Sequence, residues 1–177
     1  VKNILMNTEM TKAILDGRKV QFREVLNDMY QNCYQIKKAV SGNFQCRELI
    51  GDEDIWMTEK PKYKNGDVLQ VVEEYEMCMS DSSEDELFER DTNIFLKITN
   101  VRVEKLQDMH VQDIKKEGIQ TLPPTDGYHS RFSNGKKIFI EPFPSFINLW
   151  NKTAPKGYKW DDNPYVFVYE FERINND

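Results

Sequence analysis

Residues 93–106, NIFLKITNVRVEKL, carry the clearest alternation in the chain. Ile94, Leu96 and Ile98 share one face of a strand, and Val101 and Val103 continue an apolar face with the parity shifted by one. Strand side chains alternate with a period of two, so this slip requires a bulge near Thr99-Asn100 or a bend of the kind found at barrel corners. Further on, Tyr165 to Phe171 (YVFVYEF) sets four aromatics on one side and Val166 and Val168 on the other. A strand apolar on both faces belongs in the interior of a closed or covered sheet. Gly66-Asp67 turns the chain into a third strand, VLQVVEEYEMCM, rich in β-branched residues. Residues 3–6 and 18–24 supply two shorter ones.

Helices punctuate these strands. In TEMTKAILDGRKVQFRE (residues 8–24), Thr8 is placed to cap a helix whose Met10, Ala13 and Ile14 share a face, and Gly17 ends it. Arg18 and Lys19 then stand at a sharp helix-to-strand corner. Residues 110–117 predict a short helix stopped by Gly118, and residues 144–152 a helix with proline in its first turn and Phe146, Leu149 and Trp150 on one face. Residues 25–60 read as an aperiodic insertion with one short helix near 25–31. The proline- and glycine-rich stretch 120–142 reads as a second insertion with at most a hairpin around Asn134-Gly135. The expected fold is therefore α+β, a small mixed-sheet β-barrel with peripheral helices, forming one domain over residues 1–177.

The net charge of −6 is unevenly spread. Residues 73–91 hold nine acids and one base, a local −8, so the other residues carry 23 bases and 21 acids. A long-duplex binder advertises a basic balance, which this chain lacks. The acidic run reads as a solvated loop; the competing readings are a gate against polyanions or a face for a host protein. Cys33, Cys46 and Cys78 lack CxxC spacing, and His110 and His129 are isolated, so no metal or other cofactor is implied. No apolar run is long enough to span a membrane, and the opening VKNILMNTEM does not read as a signal peptide. These features predict a cytoplasmic protein.

The pieces TEMTKAILDGRK, YKNGDVLQVVEEY, LKITNVRVEKLQDM, IKKEGI, FINLWN and GYKWDDNPYVFVYEFERI, in this order, resemble an ASCH-domain protein of the phage and prophage branch. The resemblance covers nearly the whole chain outside 25–60 and 120–142. It implies a PUA-like β-barrel with a cleft beside it, RNA or a nucleotide-like molecule as ligand, and a bacterial host cell as the setting. One branch of small ASCH proteins hydrolyses N(4)-acetylcytidine with a Lys, a Thr and a Glu. By resemblance Lys19 and Glu117 match the first and last of these, while Phe22 stands where the hydroxyl would be. In the strand after Gly66-Asp67, Glu73 remains while Val72, Glu74 and Tyr75 replace the usual arginine, threonine and tryptophan.

Two chemistries follow. Arg18, Lys19 and Arg23, with Gln21 between them, form an anion anchor, with Glu73 beside them and Tyr75 and Trp160 as stacking surfaces for a base. Alternatively Lys19 and Glu117 act as a base-and-orienter pair of an amidohydrolase or nuclease, with water replacing the missing hydroxyl. The structural reading of the same residues is that Arg18, Lys19 and Arg23 pair with Glu73, Glu74 and Glu117 as a network.

Overall fold

The computed structural model describes residues 1–77, 86–124 and 131–174. The chain opens with β1 (Lys2–Asn7) and α1 (Thr8–Leu15), followed by β2 (Gln21–Val25). A meander of β3 (Gln35–Lys38), β4 (Phe44–Ile50) and β5 (Glu53–Glu59) comes next, then two long strands, β6 (Val68–Met77) and β7 (Glu86–Lys105). After α2 (Val111–Lys116) come the short β8 (Gln120–Leu122), β9 (Arg131–Ser133) and β10 (Ile138–Phe139), then α3 (Pro142–Thr153) and β11 (Tyr165–Ile174).

Five strands form the principal sheet in the order β1-β6-β7-β11-β2, parallel at β1–β6 and antiparallel elsewhere. The sheet curls into a half-barrel with β1 and β2 as its free edges, where the sequence leads one to expect a closed barrel. The architecture is α+β and mostly strand. Among the described residues no helix is long and apolar enough to cross a membrane.

The shifted parity of β7 is resolved by a bulge: Glu170 pairs with Asn100 and Phe171 with Ile98, so Thr99 is the extra residue. That one insertion keeps Ile94, Leu96, Ile98 and Val101 in the same core despite their odd spacing. β11 lies between β7 and β2, as its two apolar faces require. Phe167, Tyr169 and Phe171 enter the main core, while Val166 and Val168 enter a second core beneath α2 and α3. Burying each such side chain stabilises the fold by about 1.5–3 kcal/mol.

Several expectations change. The cap of α1 is Asn7, whose side chain accepts from the Met10 amide at 2.9 Å, not Thr8. The strand after the corner begins at Gln21, leaving Arg18 and Lys19 in the turn. Residues 25–60 are not aperiodic: they hold a single 3-10 turn (Asp28–Tyr30) and the β3–β4–β5 sheet. Its inner face supplies Phe44 and Cys46 to the main core, while Lys38, Glu48, Glu53 and Glu59 on the same parity interrupt the apolar row. The acidic run is not simply a loop, because Val72 to Met77 pair with Asp91 to Glu86, and Val72 to Glu74 also pair with β1; residues 78–85 lie outside the described residues. The second insertion does contain the hairpin around Asn134-Gly135, joined by β8. α3 starts at Pro142, two residues earlier than its proline pattern suggests. Cys33 and Cys46 are buried free thiols, and burial pushes Cys46 up to about 12. Cys78 and His129 lie outside the described residues.

Candidate functional site

The site begins where α1 ends. Gly17, at φ +72°, turns the chain so that the Arg18 and Lys19 amides both donate to the Ala13 carbonyl at 2.9 Å. Val20 then donates to the Lys116 carbonyl at 2.9 Å, and Lys19 forms an isolated antiparallel bridge with Glu117. The end of α2 is thereby stitched onto the corner. Gly118 makes this possible: its φ is +97°, and a Cβ there would lie 3.0 Å from the Ala13 Cβ and 3.1 Å from the Lys19 Cβ.

Three donors converge on the Glu117 carboxylate. Lys19 Nζ reaches Oε2 at 3.1 Å and the Glu117 carbonyl at 3.1 Å; Gln21 Nε2 reaches Oε1 at 3.2 Å; Arg23 Nη1 also donates to Oε1. The side chains of Lys19, Arg23 and Glu117 are only 2%, 1% and 6% exposed. Charges this deep are tolerated because each is paired; an unpaired one would cost several kcal/mol.

The pairing extends across the outer face of the sheet. Arg23 Nη2 donates to Glu104 Oε1 at 2.8 Å, and Arg102 donates to Glu104 at 3.0 Å, Asp113 at 3.1 Å and Glu170 at 2.7 Å. Strand register explains the grouping, since Arg23 and Arg102 both pair with Val168, and Gln21 pairs with Glu170. With Lys116 on Glu170 at 3.5 Å, four cations balance four carboxylates. Burial alone would raise the Asp113 carboxyl, but the His110 amide, Arg102 and Arg23 outweigh it and hold the group below its usual range.

Glu117 stands at the junction of two adjoining clefts. One, of about 490 Å³, lies between α1, the β6–β7 ladder, the 134–136 hairpin tip and α3, with Met10, Tyr75 and Leu149 among its walls. The other, of about 470 Å³, opens between the free edges β1 and β2 beneath α3. Asn7, Met10, Glu74 and Leu149 line both. Volumes of this order suit a small-molecule ligand.

The expected site residues divide accordingly. Lys19, Gln21, Arg23 and Glu117 come together. Arg18 lines the larger cleft, but its guanidinium is turned to the Gly118 carbonyl at 2.6 Å and Asp16 at 2.9 Å. Each of the three corner cations thus has a partner, and the larger cleft itself carries Glu9, Glu74, Glu76 and Glu117 against Arg18, Lys136 and Lys152. Glu73 points away from the cleft and binds Arg90 at 2.6 and 2.8 Å. Burial works to raise the Glu73 carboxyl, yet the bonds from Arg90 and the Thr8 hydroxyl leave it lowered. Its neighbour Glu74 takes the cleft position. Tyr75 lines the cleft and stacks on Phe88 with centroids 5.9 Å apart. Trp160 lies outside both clefts and packs edge-on against Phe143 and Phe146 at 6.1 and 6.2 Å. Phe22 is a core residue stacked on Tyr169 at 4.9 Å, which explains why an aromatic stands there.

Sequence reasoning missed Arg102, Glu104, Asp113 and Glu170. The signal was present in β7, where Arg102 and Glu104 alternate with Val101 and Val103 and so must share a face. Among the described residues no group of His, Cys, Asp and Glu is arranged to hold a metal. Comparison with known proteins returns no matching family model, no matching curated protein and no matching solved structure.

Proposed function

We propose that the protein binds a nucleobase-type ligand, a nucleoside or the base of a nucleotide or RNA, in the cleft beside Glu117. The observation that carries this reading is the Glu117 carboxylate itself, fixed by Lys19, Gln21 and Arg23 at the cleft junction. Among the described residues Oε2 accepts from the Lys19 ammonium alone, which leaves it capacity for a further donor, and Glu117 lines both clefts. A rigid carboxylate accepts from the amino and imino N–H groups that nucleobases present at their edges. Tyr75, Met10 and Leu149 supply flat and apolar wall for the ring. The resemblance to ASCH domains points to the same ligand class.

The charge of the cleft gives a phosphate no surplus of cations to bind. Among the described residues Glu9, Glu74 and Glu76 face Arg18, Lys136 and Lys152, Glu117 is already met by Lys19 and Arg23, and the corner cations are engaged with protein acceptors. Binding therefore rests on the base and not on an anion anchor. Calorimetric titration with cytidine, uridine, adenosine and guanosine tests this reading, using Leu149→Trp to fill the cleft. Saturable binding lost in the filled variant supports it; binding unaffected by Leu149→Trp sinks it.

A second reading is amide hydrolysis of a modified nucleoside, favoured by the 3.1 Å approach of Lys19 Nζ to Glu117. With Phe22 in place of a hydroxyl, the nucleophile would be water activated by Glu117. Hydrolysis of N(4)-acetylcytidine that disappears in Lys19→Ala supports this route, and equal rates in the two proteins end it.

A further inference from the structure

The outer face of the β3–β4–β5 meander carries a cluster that neither cleft uses. Cross-strand register places Gln35, Arg47 and Trp56 in one row and Lys37, Gln45 and Thr58 in the next. Directly paired residues project to the same side of a sheet, so these two rows share one surface. Trp56 is 45% exposed and Tyr34, at the mouth of β3, is 55% exposed. By contrast Trp150 is buried and Trp160 half-buried.

The exposed rings are built into a stack. Arg47 Cζ lies 5.3 Å from the Trp56 centroid and 5.6 Å from that of Tyr34, and Lys37 Nζ lies 4.5 Å from Trp56. Asp54 fixes the arrangement, accepting from the Tyr34 hydroxyl at 2.6 Å and from Arg47. Strand alternation also sorts the charges. Lys37 and Arg47 share the outer face with Asp54 alone, while Glu48, Glu53 and Glu59 fall on rows of the opposite parity. A chain of net charge −6 thus presents a locally positive, aromatic surface here.

We propose that this face is a second binding surface, taking single-stranded nucleic acid by stacking a base against the Tyr34–Arg47–Trp56 cluster while Lys37 meets the backbone. Aromatic faces and guanidinium planes both stack on unpaired bases, and interleaved cations track the phosphates. A protein partner fits less well. The two rows are amide, hydroxyl and cation around isolated rings, not the desolvated apolar patch at the centre of a protein interface. A duplex hides its base faces and offers nothing to stack. The surface shares no residue with either cleft, so it stands or falls independently of the ligand proposed for Glu117.

The test is fluorescence anisotropy with a labelled oligouridylate of about 12 nucleotides, a length within single-strand site sizes. Trp56→Ala is expected to weaken binding about tenfold, the loss of one stacked base, and Trp56→Phe to retain most of the affinity. Lys37→Gln is expected to reduce the salt slope by about 0.7, one phosphate contact on a single strand. Thermal unfolding checks that the variants are folded, and exposed positions of this kind keep the wild-type midpoint. Unchanged affinity in Trp56→Ala overturns the proposal. So does equal affinity for a duplex of the same length, or displacement of the oligonucleotide by an equal concentration of polyglutamate.

Discussion

Lys19 and Glu117, 98 residues apart in the chain, meet as an isolated antiparallel bridge and as a buried ion pair 3.1 Å long. The backbone bridge brings the end of α2 to the corner after α1. The side chains then set one wall of a cleft. Stability and the shape of the cleft thus depend on the same few atoms.

The two partners are not equivalent. Glu117→Gln leaves Lys19 and Arg23 buried without the charge they share, and should lower stability by about 3–5 kcal/mol. Lys19→Met removes one donor of three, so Glu117 keeps Gln21 and Arg23, and the loss should be nearer 1–3 kcal/mol. Urea unfolding of both variants measures the difference. Equal losses would contradict the convergence of three donors on one carboxylate.

Acid should weaken the fold through Glu73 and Asp113. Both are held below their ordinary values in the folded state: burial opposes this, but Arg90 and Thr8 act on Glu73, and the His110 amide, Arg102 and Arg23 on Asp113. A depressed folded pKa contributes stability that is fully present above the unfolded value. That contribution fades as pH falls from about 4 through the folded values. Unfolding free energies measured between neutral and acid pH should drop in that window, and the Glu73→Gln, Asp113→Asn double variant should show a shallower drop.

Gly118 tolerates no side chain without moving its neighbours. Gly118→Ala combines a left-handed φ of +97° with contacts of 3.0 and 3.1 Å to Ala13 and Lys19. A loss above about 2 kcal/mol is expected. Gly157→Ala has a comparable backbone at φ +87° but nothing within 4 Å, and should cost about 1 kcal/mol. Thermal or urea unfolding of the pair separates crowding at the corner from backbone strain alone.

Restoring a hydroxyl at position 22 should not restore chemistry. Phe22 packs against Tyr63, Tyr169 and Phe171. Phe22→Thr therefore opens a cavity and buries a hydroxyl, at about 3–5 kcal/mol. The variant should unfold at markedly lower urea and show no gain in N(4)-acetylcytidine hydrolysis. A gain in turnover would move the balance to the hydrolytic reading.

Much of this arrangement is legible along the chain. The parity slip in NIFLKITNVRVEKL locates the Thr99 bulge, and the two-faced YVFVYEF locates the interior strand, because both signals follow from period-two geometry. Lys19 and Glu117 were paired by resemblance. The meander was hidden because β3 has only four residues and Lys38, paired with Phe44 on the inner face, breaks the apolar row. A network of the corner cations with glutamates is legible as one alternative, but which partner Arg18 and Arg23 each take is not. A sequence shows which cations occur at a corner, but their partners Gly118, Glu104 and Glu117 arrive from distant segments, and only folding brings them there. Glu73 and Glu74 differ by one position, and only the fold shows that the first is taken up by Arg90 while the second lines the cleft.

The proposed cleft beside Glu117 takes a base and not a phosphate. Calorimetry of the wild-type protein with a nucleoside and its 5′-monophosphate, repeated with Arg18→Ala, separates the two. The nucleoside should bind at least as tightly as the monophosphate, and Arg18→Ala should change either affinity by less than about threefold, below the loss of a charge-assisted hydrogen bond. Tighter binding of the monophosphate, reduced to the nucleoside level by Arg18→Ala, would contradict this reading.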